Sequence, residues 1–229
     1  RAYTKQPIPE GVRSSYEKTN YLHYTFSMAG QKISKIFVNS EEHGVQNVSM
    51  NIYVMERKLL IDEIKKGFVL GNKFFERDVL APQTEKLNIQ GYEFTGYQAR
   101  IDDMKSYFDE NMKLLKDENL DSLFSGNPIY TKVRDDNPTR YINGSKAKNV
   151  MVADGCVIEG EIENSILFRG VKVAKGAKVK NCILMQDTVI EAGAEIEYVV
   201  SDKYVTVSEG KQLKGTDSFP VFIAKDQVV

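Results

Sequence analysis

The last third of the chain repeats one pattern of aliphatic and polar positions every seventeen residues. Similar stretches occupy residues 161–167, 178–184 and 195–200, and a glycine recurs between them at the same step. The repeats carry the motif aliphatic-x-x-Gly-Ala-x-aliphatic, which is a hexapeptide-repeat signature. A short fixed period is typical of a solenoid, in which each coil buries its apolar face against its neighbours. We therefore predict a left-handed parallel β-helix over residues 141–229.

The register of this solenoid follows from the period. Parallel strands lie about 4.8 Å apart, so residues one period apart should stack directly. The predicted inward columns are Val173, Ile190 and Val207, and Ile162, Val179, Ile196 and Leu213. The predicted charged columns alternate in sign: Glu161, Lys178 and Glu195, and Glu163, Lys180 and Glu197. Opposite charges on adjacent coils favour this register by about 0.2–1 kcal/mol per pair, and we expect Gly176, Gly193 and Gly210 at the corners.

Before residue 141 the hydrophobic pattern indicates strands and helices. Alternating apolar positions from Val48 to Val54 predict a strand, and an amphipathic helix over 56–66, closed by Gly67, follows it. A second helix is predicted over 102–116, with Asp102 or Asp103 as its N-cap.

Further strand-like segments complete an α/β pattern. They occur at 21–28 and 32–38, joined by Gly30, and around Tyr92 and Phe94. This front part is too short for a complete doubly wound domain. Because the chain also opens on Arg1, we expect it to be a piece of a longer protein.

Composition narrows the possible functions without selecting one. The formal net charge of −1 gives no electrostatic reason to expect nucleic acid or an anionic membrane as a partner. No apolar run reaches the length of a transmembrane helix, and the start has no signal-peptide pattern. The two cysteines do not indicate a disulfide framework, and we interpret both as packing residues. The cytoplasm is the expected location.

Several motifs resemble one enzyme family. The stretch N-V-S-M-N-I-Y-V at residues 47–54 is similar to N-x-S-M-G-I-Y-V of the bacterial ADP-glucose pyrophosphorylases (glucose-1-phosphate adenylyltransferases) of glycogen synthesis. Residues 96–112 resemble the family's G-Y-W-x-D-[IV]-G-T…S-Y-x-x-A-N-[LM] stretch. N-P-I-Y-T at 127–131 and P-T-R-Y at 138–141 resemble its linker, and G-C-V-I at 155–158 its first coil.

The resemblance implies a fold and a domain organisation. Residues 1–117 would be the C-terminal part of a Rossmann-like α/β nucleotidyltransferase domain, 118–140 a linker, and 141–229 the β-helix. The family's N-terminal Gly-rich nucleotide-binding loop has no counterpart in this sequence.

Two departures from the family's motifs affect its chemistry. Arg100 falls where the family places a magnesium-binding aspartate, and a guanidinium has no lone pair with which to bind Mg²⁺. The sugar-phosphate motif F-V-E-K-P reads F-V-N-S-E at residues 37–41, so Ser40 replaces the phosphate-binding lysine. The resemblance therefore implies a regulatory subunit of the GlgD type, without catalytic or metal-binding residues of its own. Mg²⁺ is expected only in a homologous catalytic partner within a hetero-oligomer.

The resemblance also suggests binding residues. Ser49 matches the family's sugar-site serine, and Arg100 could contact a phosphate in place of the metal. Since effectors of the family are anionic metabolites, Lys132, Arg134 and Arg140 form the candidate effector site.

Other functions stay open at this point. Hexapeptide acyltransferases and β-helix carbonic anhydrases use histidines of the solenoid, but none follows His43 here. A catalytically competent sugar-phosphate nucleotidyltransferase is one alternative, against which Arg100 and Ser40 argue. A purely structural oligomerisation module is another, and it would bind no effector.

Overall fold

The computed structural model describes residues 2–8, 24–39, 44–126, 129–131 and 135–229. By its internal contacts the chain divides into two compact units, Arg1–Gly96 and Tyr97–Val229. No helix of the described part has the length and apolar character needed to cross a membrane.

The first unit is built on a five-stranded sheet. Its strands are β1 (Ala2–Ile8), β2 (Tyr24–Ala29), β3 (Lys32–Val38), β4 (Gly44–Ser49) and β5 (Tyr92–Glu93). They lie in the order β3-β2-β4-β1-β5 across the sheet. β2 and β3 form the predicted hairpin, and Gly30 between them adopts a φ of 63°. The pairs β1–β4 and β2–β4 are antiparallel, whereas β1–β5 is parallel. With helix α1 (Arg57–Leu70), this unit is α/β, as predicted.

Helix α1 is longer than the sequence predicted. It ends at Gly71, which has a φ of 72° and whose backbone N–H donates to the helix carbonyls. Gly67, the predicted end, is buried inside the helix, where a Cβ would lie 3.4 Å from the Asn72 side chain. That distance is an ordinary van der Waals contact, and the helix continues past Gly67 to Leu70, so the prediction that Gly67 closes the helix is wrong.

The predicted strand over Val48–Val54 also needs correction. β4 stops at Ser49, because Asn51 adopts a left-handed φ of 56°. Asparagine tolerates this conformation, which takes the chain out of the sheet. A π-helical turn, Phe75–Leu80, and a 3₁₀ turn, Ala81–Gln83, follow α1.

The second unit is a parallel β-solenoid, which confirms the hexapeptide prediction. One column of strands contains β6 (Arg140–Tyr141), β8 (Val157–Ile158), β10 (Lys172–Val173), β13 (Val189–Ile190) and β16 (Thr206–Val207). The second contains β7 (Lys146–Val152), β9 (Glu161–Leu167), β11 (Lys178–Lys180), β14 (Glu195–Glu197) and β17 (Gln212–Lys214). The third continues from the end of β9 into β12 (Ile183–Leu184), β15 (Val199–Ser201) and β18 (Val221–Ile223).

The predicted register is confirmed. Val173 pairs with Ile190, and Val179 with Ile162 and Ile196, and all of these side chains are buried. Lys178 forms an ion pair of 2.8 Å with Glu195 on the next coil. The three corner glycines have φ values of 77°, 67° and 66°, as their position requires: Gly176, Gly193 and Gly210.

Helix α2 (Met104–Lys113) packs against the outside of the solenoid. Its Phe108 is buried together with Ile183 of β12 and Val200 of β15. Asp103 caps the helix, as predicted: its carboxylate accepts the Ser106 backbone N–H at 2.7 Å in a capping box. A third helix, α3 (Asp117–Phe124), lies at the beginning of the predicted linker, residues 118–140. Helix α2 is therefore part of the same compact unit as the β-helix, and not of the unit that ends at Gly96.

Candidate functional site

Arg100 lies in the segment that leads into helix α2, and this segment is fixed at both ends. Before Arg100, the hydroxyl of Tyr97 donates to Glu110 Oε2 of α2 at 2.9 Å. After it, Asp103 caps the same helix. Burial, and then this hydrogen bond, raise the pKa of the Tyr97 hydroxyl, so Tyr97 stays a hydrogen-bond donor at neutral pH.

The guanidinium of Arg100 forms an ion pair with the next carboxylate along the chain. Its Nε donates to Asp102 Oδ2 at 2.7 Å, and both side chains are about one quarter exposed. A charge-assisted bond of this length is among the stronger hydrogen bonds of proteins. Asp102 falls where the resembling motif has glycine, and the sequence suggested it only as an alternative N-cap of the following helix, not as a partner of Arg100. An opposite charge two residues away does not by itself predict pairing.

These residues do not fit a Mg²⁺ site. Mg²⁺ needs oxygen ligands, whereas Arg100 presents a permanent positive charge and engages the neighbouring carboxylate. In the described ranges no three His, Cys, Asp or Glu side chains gather as metal ligands.

Ser49 belongs to the first unit and ends strand β4. It is buried, and its hydroxyl donates to Oε1 of the buried Glu76 at 2.9 Å while accepting the Asn51 backbone N–H at 3.0 Å. The Ser49 hydroxyl therefore stabilises the turn at Asn51 and connects it to the π-helical turn that contains Glu76. A sugar contact by Ser49 stays a prediction. Glu76 was not recognised from the sequence, because it lies twenty-seven residues away.

The predicted effector site is only partly described. Arg140 starts the first coil of the solenoid, where its backbone N–H donates to the Cys156 carbonyl at 2.9 Å and its side chain is exposed. Lys132 and Arg134 lie outside the described residues, as does Ser40. The effector role of Lys132, Arg134 and Arg140 stays a prediction.

The two cysteines are packing residues, as predicted. Cys156 and Cys182 are free and fully buried in the β-helix core. Burial raises the pKa of Cys156 and raises that of Cys182 to about 12. Since the thiolate is the reactive form, neither side chain is suited to nucleophilic chemistry.

The chain combines α/β elements with a hexapeptide β-helix, and this combination defines its fold class. Comparisons with known proteins agree with this fold class. The family model described as GlmU-like, C-terminal hexapeptide, matches residues 132–218. The chain is 41% identical over 181 residues to the glycogen biosynthesis protein GlgD of Bacillus subtilis (strain 168), covering 79% of this chain and 52% of that protein. It is 41% identical over 132 residues to GlgD of Geobacillus stearothermophilus, covering 57% and 38% respectively.

Similarity extends to proteins named as enzymes. Glucose-1-phosphate adenylyltransferase of Clostridium perfringens (strain SM101 / Type A) is 29% identical over 205 residues, covering 80% of this chain and 48% of that protein. The chain is thus related to the glucose-1-phosphate adenylyltransferase family and is a relative of GlgD. It spans about half the length of Bacillus subtilis GlgD and of the Clostridium enzyme.

Proposed function

We propose that this chain is part of a non-catalytic regulatory subunit of glucose-1-phosphate adenylyltransferase in glycogen biosynthesis. In this proposal a homologous catalytic subunit converts ATP and glucose 1-phosphate to ADP-glucose and pyrophosphate. The observation that carries the proposal is the Arg100–Asp102 ion pair, at the position where the resembling family has a magnesium-binding aspartate.

The physical argument concerns charge in the transition state. Nucleotidyl transfer develops negative charge on phosphate oxygens, and a divalent cation neutralises it. A guanidinium cannot lose its proton or ligate a metal, and it repels one. A chain with Arg100 at this position is therefore expected to be inactive alone.

The pattern of similarity supports the same conclusion. Identity to the two GlgD proteins is 41%, against 29% to the Clostridium enzyme. The chain is thus nearer to proteins named for glycogen biosynthesis than to one named for the transfer reaction itself.

A subunit without chemistry of its own can change a reaction only by binding the subunit that performs it. The experiment is to mix the full-length protein with its catalytic homologue, isolate the complex by size-exclusion chromatography, and measure ADP-glucose formation. We expect a complex whose rate, or whose response to effectors, differs from that of the catalytic subunit alone. Failure to form a complex, or identical kinetics with and without the protein, would contradict the proposal.

Effector binding separates this proposal from a purely structural role. Thermal unfolding of the full-length protein with fructose 1,6-bisphosphate, phosphoenolpyruvate or ADP-glucose is the appropriate measurement, since a ligand of the native state raises its melting temperature. A structural oligomerisation module would show no shift with any of them. We expect a shift with at least one anion that diminishes when Arg140 is replaced by Ala.

A further inference from the structure

A groove of about 380 Å³ lies between helix α2 and one corner of the β-helix, entirely within the second unit. Asn164, Asn181 and Tyr198 line it from the solenoid, and Met112 and Lys116 line it from the helical side. This volume is within the range of small-molecule sites. The groove uses neither Arg100 nor Arg140.

The solenoid side of the groove is an ordered column of residues, one from each coil. Asn149, Asn164, Asn181 and Tyr198 all adopt left-handed backbone conformations, with φ values of 51°, 47°, 51° and 51°. The Asn149 amide donates to Asn164 Oδ1 at 2.7 Å, and the Asn164 amide donates to Asn181 Oδ1 at 2.6 Å. Each amide thus donates toward the following coil.

Among the described residues, the column ends with an amide donor that has no protein acceptor. Tyr198 stands where a fourth asparagine would continue the ladder, and its side chain has no carbonyl oxygen. The Nδ2 group of Asn181 donates to no acceptor in the part of the chain that the structure describes, although the residue is only 7% exposed. Asn181 lines the groove, so its amide is open to an acceptor from solvent or from a ligand. A ligand oxygen placed in the groove would accept this hydrogen bond in place of water.

The charges around the groove favour a neutral ligand over an anion. Lys113 and Lys116 line it together with Asp109 and Asp217, so the charges cancel. Three of these side chains are already in ion pairs: Lys113 with Glu110 at 2.6 Å, and Asp109 and Asp217 with Lys105, the latter at 3.7 Å. A phosphate would meet two carboxylates, whereas a hydroxyl group can donate to a carboxylate and accept from an ammonium or amide.

We propose that this groove binds a neutral carbohydrate. The Asn181 amide would donate to a sugar oxygen, Asp217 would accept from a sugar hydroxyl, and the apolar surfaces of Met112 and Tyr198 would contact the C–H face of the ring. The proposal uses residues of the second unit alone, so it stands whether or not the full-length protein is catalytic.

Isothermal titration calorimetry of the intact protein with maltotriose, a neutral glucose oligomer, tests the proposal. We expect the wild-type protein to bind maltotriose and Asn181→Gly to weaken binding by about tenfold, because one hydrogen bond is lost. Glycine accepts the left-handed backbone without strain. The matched control is Asn149→Gly, which removes an amide of the same ladder outside the groove and should leave the affinity unchanged.

A second variant, Asp217→Ala, and a second ligand, inorganic phosphate, provide independent tests of the proposed carbohydrate site. Asp217 is 73% exposed, so Asp217→Ala should fold normally and also weaken maltotriose binding. If Asn181→Gly does not fold, the Asp217→Ala result decides. No binding of maltotriose by the wild-type protein, or equal affinity in all the variants, would overturn the proposal. Binding of inorganic phosphate that requires Asn181, without binding of maltotriose, would overturn it as well.

Discussion

By the resemblance of residues 96–112, Arg100 falls where the family has a magnesium-binding aspartate, so the charge at that position is reversed. The neighbouring structure keeps the guanidinium in place, since Tyr97 anchors one side of the segment to Glu110 and Asp103 caps helix α2 on the other. Asp102 neutralises the cation locally through its bond of 2.7 Å. Arg100 is therefore part of an ordered local structure, as the proposal of a non-catalytic subunit requires.

We also predict that the side chains of the two cysteines are unreactive in the native protein. Burial raises the pKa of Cys182 to about 12, so almost no thiolate exists at pH 8. Cys156 is also buried, with a raised pKa. Titration with Ellman's reagent should show no fast-reacting thiol before unfolding and two thiols in denaturant. Rapid labelling of either cysteine in the folded protein would mean that the core opens far more readily than its packing indicates.

Phe108 is the buried residue of helix α2 in the apolar cluster that the helix shares with the solenoid. Phe108 is 3% exposed and packs with Ile183 and Val200. We predict that Phe108→Ala lowers the free energy of unfolding by about 3–5 kcal/mol, measured by urea denaturation. Phe124→Ala on helix α3 is the matched control, because Phe124 is 48% exposed; it should change stability by less than about 0.5 kcal/mol. Equal effects of the two substitutions would exclude the proposed attachment.

The N-cap of α2 should make stability depend on pH. The Ser106 backbone N–H holds the pKa of Asp103 below its ordinary value of 3.8. The ionised cap thus contributes stability above pH 3.8, and this contribution is lost as the pH falls through the lower folded pKa. We predict that Asp103→Ala costs about 1 kcal/mol at pH 7 and progressively less below pH 3.8.

The control for this pH dependence is Asp103→Asn, which keeps a capping oxygen but cannot titrate. Urea denaturation between pH 7 and pH 2.5 is the measurement. A cost of Asp103→Ala that stays constant over this range would show that the carboxylate charge does not stabilise the helix.

Elements with a strong local signal were predictable from the sequence, and those set by distant contacts were not. The period fixed the stacking of Val173 and Ile190, and Asp103 was identified as a possible cap of α2. The end of α1 was misplaced at Gly67, because its burial near Val79 is a tertiary contact that no local pattern encodes. The end of β4 was missed for a different reason: the left-handed turn at Asn51 interrupts an otherwise regular alternation.

Individual residues of the candidate site could be predicted from the sequence, but their interaction partners could not. Arg100 could be singled out because a cation stands where the resembling motif has a carboxylate. Its partner Asp102 and the partner of Ser49, Glu76, emerge only from three-dimensional contacts. The groove residue Asn181 could not be recognised from the sequence, since its place at the end of the amide ladder follows from its contact with Asn164.

The two compact units of the molecule differ in their architecture. The solenoid has a core of stacked aliphatic residues, and alternating charges such as Lys178 and Glu195 stabilise its register. The first unit supplies an α/β sheet that, by resemblance, belongs to a nucleotidyltransferase domain. Because the chain spans about half the length of its relatives, activity has to be measured on the full-length protein.

The most direct measurement is the rate of ADP-glucose formation by the purified full-length protein alone, with ATP, glucose 1-phosphate and Mg²⁺. We predict a background rate for the wild-type protein, and a rate above background for the double variant Arg100→Asp with Ser40→Lys, which restores the metal ligand and the phosphate-binding lysine. The catalytic homologue serves as the positive control. A wild-type rate of about 1 s⁻¹ or more, typical of ordinary enzymes, would contradict the account.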